Sequence, residues 1–132
     1  MRTLTLTLIS VLLAGALPGH AADWLVIGSG ATEVLMLDRD SVSRNGDRAE
    51  ALMLHSHDRD VAATGDFPTH RSELSRLRFD CDTGTITVAE RQFYSAALGR
   101  GREVGKISAP APATAASNQR EKMLLEMACG PE

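Results

Sequence analysis

The chain has 132 residues, carries 14 Lys+Arg against 17 Asp+Glu for a formal net charge of −3, and is 4% aromatic. That length suggests one domain. A mildly acidic chain with both signs interspersed lacks the basic footprint of a nucleic-acid or anionic-lipid binder, and its aromatics do not alternate with basic residues as a base-stacking platform requires.

The chain opens with Arg2, an apolar run from Leu4 to Leu17, Pro18, and then Gly19-His20-Ala21, with small residues where a signal peptidase reads. This pattern predicts a secretory signal over residues 1–21, cut between Ala21 and Ala22, and a mature domain over 22–132. The apolar run is interrupted by Ser10 and Gly15 and falls short of the roughly 20 residues needed to cross a bilayer. Ala16 occupies the place of the lipid-bearing Cys in "LLAGA", so no lipid anchor is expected. The expectation is an exported chain, periplasmic or at the cell surface, with no membrane span after cleavage.

Past the signal, "DWLVIGS" (23–29) and "EVLMLD" (33–38) are short apolar runs around Gly30-Ala31-Thr32, which reads as a hairpin. Asn45-Gly46 marks a second turn, and "AEALMLHSH" (49–57) is the next strand. Residues 58–70 hold Gly65, Pro68 and three acids without a period, and predict a loop. Leu77, Phe79 and Cys81 alternate with Arg76, Arg78 and Asp80, the pattern of a half-buried strand with Cys81 on its core side. "DTG" (82–84) turns the chain into a strand over 85–94, and 99–106 reads as flexible chain or a weak edge strand. "APAPATAAS" (109–117) reads as a Pro/Ala linker with no core-forming residue. Ser117 or Asn118 can cap a terminal helix in which Leu124, Met127 and Ala128 recur at helical spacing, and Gly130-Pro131 ends it.

Cys81 and Cys129 are the two cysteines. In an oxidising compartment their default is one disulfide, here closing a loop of 129 − 81 = 48 residues. Cys81 belongs to the core face of a strand and Cys129 borders the apolar face of the helix. A bond between them lays the helix on the sheet. With no β-α-β alternation, the predicted fold is α+β: a single antiparallel sheet of about five to six strands, with a C-terminal helix packed on one face and tied by the disulfide.

His55 and His57, in "HSHDRD" (55–60), sit two apart, so on a strand both imidazoles share one face. The stretch superficially resembles the H-x-H-x-D-H of metallo-β-lactamase-type hydrolases, but Arg59 and Asp60 stand where the Asp and the next His belong. A three-His site would need His70 from the loop. The plainer reading is a strand end running into solvated side chains. "GSGATE" (28–33) has Glu33 in place of the third Gly of a dinucleotide loop, so it reads as a turn. In "DRDSVSRNGD" (38–47) Val42 stands at a calcium-ligand position, so Asp38 and Asp40 are expected to organise a tight turn through backbone N–H groups. No catalytic residue, metal or cofactor is expected.

Trp24 in the first strand, "LDRDSVSRNGDRAE" (37–50), "LRFDC" (77–81), "ERQFY" (90–94) and Cys129 on a terminal helix occur in that order. The ordered set resembles the surface-adhesin protein E family of small exported bacterial proteins. The resemblance implies an antiparallel sheet with a disulfide-tied C-terminal helix, and adhesion to a host macromolecule. "KISAPAPATAASN" (106–118) stands where that family often has a Trp. The expected function is an exported, non-enzymatic binding protein whose partner is an unknown macromolecule, a host or envelope protein. The alternatives are a periplasmic inhibitor or envelope accessory protein, and a weak metal-dependent hydrolase using His55 and His57.

Overall fold

The computed structural model describes residues 22–130. The expected signal and its cleavage point after Ala21 lie outside or at the edge of them. Strands β1 (Trp24–Ser29), β2 (Glu33–Asn45), β3 (Arg48–Val61), β4 (His70–Asp80), β5 (Thr85–Tyr94) and β6 (Glu103–Ile107) pair in chain order, every pair antiparallel. A two-residue strand, β7 (Thr114–Ala115), joins β5, and helix α1 (Gln119–Cys129) follows. Each connection between long neighbours is a local turn or short loop, so no crossover is needed and the sheet is a simple meander. The predicted antiparallel sheet with a C-terminal helix is the fold observed.

The core lies between one face of the sheet and the helix. Alternation places Leu37, Ala49, Ala51, Leu77, Phe79 and Ile86 on that face, where they meet Leu124, Ala128 and Cys129 of α1. Ala49 and Ala51 leave the space into which the helix settles. Phe79 and Leu77 are almost fully enclosed, each worth about 1.5–3 kcal/mol of apolar transfer. Cys81 and Cys129 are bonded, with Cα atoms 5.7 Å apart. At the other end of α1, Asn118 Oδ1 accepts from the Glu121 N–H at 2.8 Å while Glu121 Oε2 accepts from the backbone of Ser117 and Asn118. This capping box satisfies N–H groups that the first helical turn cannot.

Three local expectations are corrected. First, "HSHDRD" is not a strand end: β3 continues through Val61, which pairs with His70 across an irregularity after Ser56. His55 and Ser56 pair on both sides, His57 pairs with Glu33, and the Asp58 N–H donates to the Thr32 carbonyl, so backbone partners set the conformation of the first part of this stretch. Second, residues 109–117 are not an inert linker. The Ala111 and Ala116 N–H groups donate to Val88 and Gly84 at 2.9 and 3.0 Å, β7 extends the sheet, and Ala116 packs on the core. Third, Asp38 lies in a bulge within β2 and not in a tight turn. Its Oδ1 accepts from the N–H groups of Asp40 and Asp23, both at 3.0 Å, while Ser41 Oγ bridges the Asp38 carbonyl and the Leu52 N–H. Among the described residues, Asp40 contributes its backbone N–H to this arrangement.

Candidate functional site

Register carries the helix-side face of the sheet beyond the apolar core into a polar strip. Leu37 pairs with Met53, Leu35 with His55 and Glu33 with His57, so Glu33, His55 and His57 emerge on the same face as Leu37. Glu73 stands opposite His55 on β4, and Phe93 opposite Glu73 on β5. The strip therefore runs across the sheet from β2 to β5, with Arg120 of α1 near its Glu33 end and Phe67 of the 62–69 loop packed on Phe93 at its β5 end.

At its β2–β3 end, His55 Nε2 and Glu33 Oε2 are 2.8 Å apart, and His57 Nδ1 lies 3.8 Å from the same oxygen. The two imidazoles are tilted against each other with centroids 4.3 Å apart. The hydrogen bond from His55, then its charge, holds the Glu33 carboxyl below the usual carboxylate range. Burial, then the neighbouring His55, pushes the His57 imidazole down. Arg120, in the first turn of α1, adds a further cation facing Glu33. The Arg120 guanidinium lies over Gly28, where a methyl group would sit 2.9 Å from Arg120 Nη2 and displace it.

One ligand atom from each of Glu33, His55 and His57 can be chosen so that all lie within 4.8 Å of one another. These residues could hold a metal ion. His70 does not complete the pair as a three-His reading required: its ring is 6.2 Å from that of His57, and its Nδ1 is engaged with the Pro68 carbonyl at 2.7 Å. The sequence signal missed Glu33, which lies 22 residues before His55. Only the β2–β3 register reveals it.

Further along the strip Arg91 Nη1 donates to Glu73 Oε1 at 2.6 Å, and Ser75 Oγ donates to the same oxygen at 2.9 Å. The Arg91 guanidinium also lies over the Phe67 ring, 5.2 Å from its centroid. Phe67 packs on Phe93, which His70 meets from another side. These residues form a second, smaller core that anchors the 62–69 loop. The opposite face of the sheet is covered over Leu54, Ser56 and Ser72 by the 95–102 segment, whose Leu98 and Gly99 N–H groups donate to Ser56 and Ser72 Oγ at 2.9 Å. Its remainder is open and charged: Glu50 pairs with Arg78 at 3.1 Å and Glu90 with Lys106 at 3.3 Å. Solvated pairs of this kind contribute little to stability but leave a broad polar surface. Among the described residues, no helix is long and apolar enough to cross a membrane.

The model of the Surface-adhesin protein E family matches residues 24–130, from the first strand to the residue after Cys129. The chain belongs to the surface-adhesin protein E family. Solved structures of protein E from Haemophilus influenzae share the fold. Crystal form II has a TM-score of 0.57 at 13% identity, over 72% of this chain and 79% of that one. Protein E from the non-typeable organism has a TM-score of 0.58 at 11% identity, over 83% and 81%. The selenomethionine form has 0.57 at 12%, over 83% and 92%. At such identities the likeness concerns the fold alone. No curated protein matches the chain. Membership in the surface-adhesin protein E family agrees with the resemblance read from Trp24, 37–50, 77–81, 90–94 and Cys129. It makes this a surface-adhesin-like protein.

Proposed function

We propose that the protein is exported, cleaved between Ala21 and Ala22, and works outside the cytoplasm as a non-enzymatic binding protein for a host macromolecule. The family match over residues 24–130 is the observation that carries this reading. The disulfide supports it, because such a bond persists in an oxidising compartment. So does the start of the matched region, which falls just beyond the 1–21 segment. The open face bearing Glu50, Arg76, Arg78, Glu90 and Lys106 offers mixed charge to a polar partner, with specificity set by charge pattern more than by apolar area.

The test has two arms. Intact mass of protein recovered from cells should correspond to a chain beginning at Ala22, and protease applied to intact cells should remove it. Purified protein should then bind immobilised host extracellular proteins saturably, with affinity falling as salt rises. A chain that keeps Met1 and stays in the cytoplasm defeats the export reading. A periplasmic chain that binds no host protein leaves the inhibitor or envelope-accessory role in its place.

A further inference from the structure

We propose that Glu33, His55 and His57 form a binding site for a single borderline divalent transition metal ion, for which zinc is the probe. Two imidazoles and one carboxylate are the donor set such ions take in three-ligand protein sites, with a fourth position left for water or an incoming group. Metal–ligand bonds of about 2.0–2.2 Å place neighbouring donors of a tetrahedral ion roughly 3.3 Å apart. The observed separations from Glu33 Oε2, 2.8 Å to His55 Nε2 and 3.8 Å to His57 Nδ1, bracket that value. An ion enters by displacing the proton shared between His55 and Glu33, with side-chain shifts that draw the three donors, already within 4.8 Å of one another, to a common spacing.

The scaffold is rigid where it needs to be. His55 and His57 are alternate residues of β3; His55 is paired to β2 and β4, and His57 is paired to β2, where Glu33 is its direct cross-strand partner. The hairpin that carries Glu33 is tied to β3 by the Asp58 N–H donating to the Thr32 carbonyl at 2.9 Å. All three donors therefore sit on paired backbone. The open position faces solvent, since the Glu33 side chain is 45% exposed and that of His55 33%. Asp58 and Asp60, which make "HSHDRD" look like a ligand run, are engaged elsewhere: Asp58 with Arg59 and Asp60 with Arg71, each at 3.2 Å.

The test is zinc titration of the exported protein, purified without a histidine tag and stripped of metal, followed by calorimetry and by the zinc-induced rise in Tm. One zinc per chain is expected, with a Tm increase because the ion binds the folded sheet better than the open chain. His55→Ala and Glu33→Gln should each weaken binding at least ~10-fold and abolish the shift, while Asp58→Asn with Asp60→Asn should leave both unchanged. His57→Ala is a less clean variant because that ring is mostly enclosed. Glu33→Gln replaces an exposed carboxylate by an isostere and preserves the fold, so the test holds whatever His57→Ala does. No one-to-one uptake, or equal zinc affinity in His55→Ala, Glu33→Gln and the parent, overturns the site.

Discussion

Cys81, the first residue after β4, is bonded to Cys129, the last residue of α1, and the bond spans 48 residues of chain. Those residues include β5, β6, β7 and the whole helix. The bond is one of three ties on α1, the others being the Leu124 and Ala128 contacts with the sheet and the β7 pairing just before the helix. Cys129→Ser should lower stability by roughly 2–5 kcal/mol through the longer loop freed in the unfolded chain. Hydrogen exchange on the reduced protein should lose protection first in 119–129 and later in 74–94, because local opening begins where fewest contacts must break. Simultaneous loss in both segments would place the helix in the same cooperative unit as β4 and β5.

Phe79 and Phe93 are both buried but belong to different clusters. Phe79 lies under α1 with Leu37 and Leu77, whereas Phe93 meets Phe67 and His70. Truncating either to Ala should cost about 3–5 kcal/mol where the site cannot collapse. The two variants should differ in where they loosen. Phe79→Ala is expected to raise exchange in α1, and Phe93→Ala to raise proteolysis within 62–69 while α1 stays protected. Equal proteolysis of that loop in both variants would contradict the division.

Much of this architecture was legible because particular residues alternate or recur. Leu77 and Phe79 against Arg76 and Arg78 disclosed β4 and its buried face. Asn118, Glu121 and Leu124 disclosed the helix and its cap. The polar end of β3 was hidden, since Asp58, Arg59 and Asp60 are all exposed and offer no alternation to read. Its extension is set by the pairings that flank it, His57 with Glu33 before it and Val61 with His70 after it. β7 was hidden for a similar reason, because Thr114 and Ala115 gain their conformation from Thr85 and Ile86. Likewise the histidine pair was visible in the sequence and its carboxylate was not, because strand register is a tertiary property.

Glu73 is buried, and Arg91 is its ion-pair partner, assisted by Ser75. Removing the guanidinium leaves a carboxylate short of its main counter-charge in a mostly dry place. Arg91→Ala should therefore destabilise by up to ~3 kcal/mol, less than a fully enclosed pair because the Arg91 side chain is 26% exposed. Adding Glu73→Gln should recover part of that loss, since a neutral amide is cheaper to bury than an unpaired charge. A double variant less stable than Arg91→Ala alone, in urea unfolding, would refute the charge argument and point to the stacking of Arg91 on Phe67.

The capping box gives the helix a pH dependence whose sign follows from Glu121. Backbone N–H groups of Ser117 and then Asn118 stabilise its charged form and hold its carboxyl below the usual 4.5. A group depressed by folding contributes stability that is complete above its unfolded value and disappears as pH falls through the folded one. The Tm gap between the parent and Glu121→Gln should therefore be constant from neutral pH down to about 4.5, then narrow as the solution becomes more acidic. Asn118→Ala removes the other half of the box, the acceptor for the Glu121 N–H, and should cost about 1 kcal/mol at neutral pH. Asp80 and Glu33 are also depressed, so the absolute Tm of every form will fall in acid. Only the difference between parent and variant isolates Glu121. A gap that widens below pH 4.5 would show that the carboxyl is held above its ordinary value in the folded chain, and that the Ser117 and Asn118 donors do not set its charge.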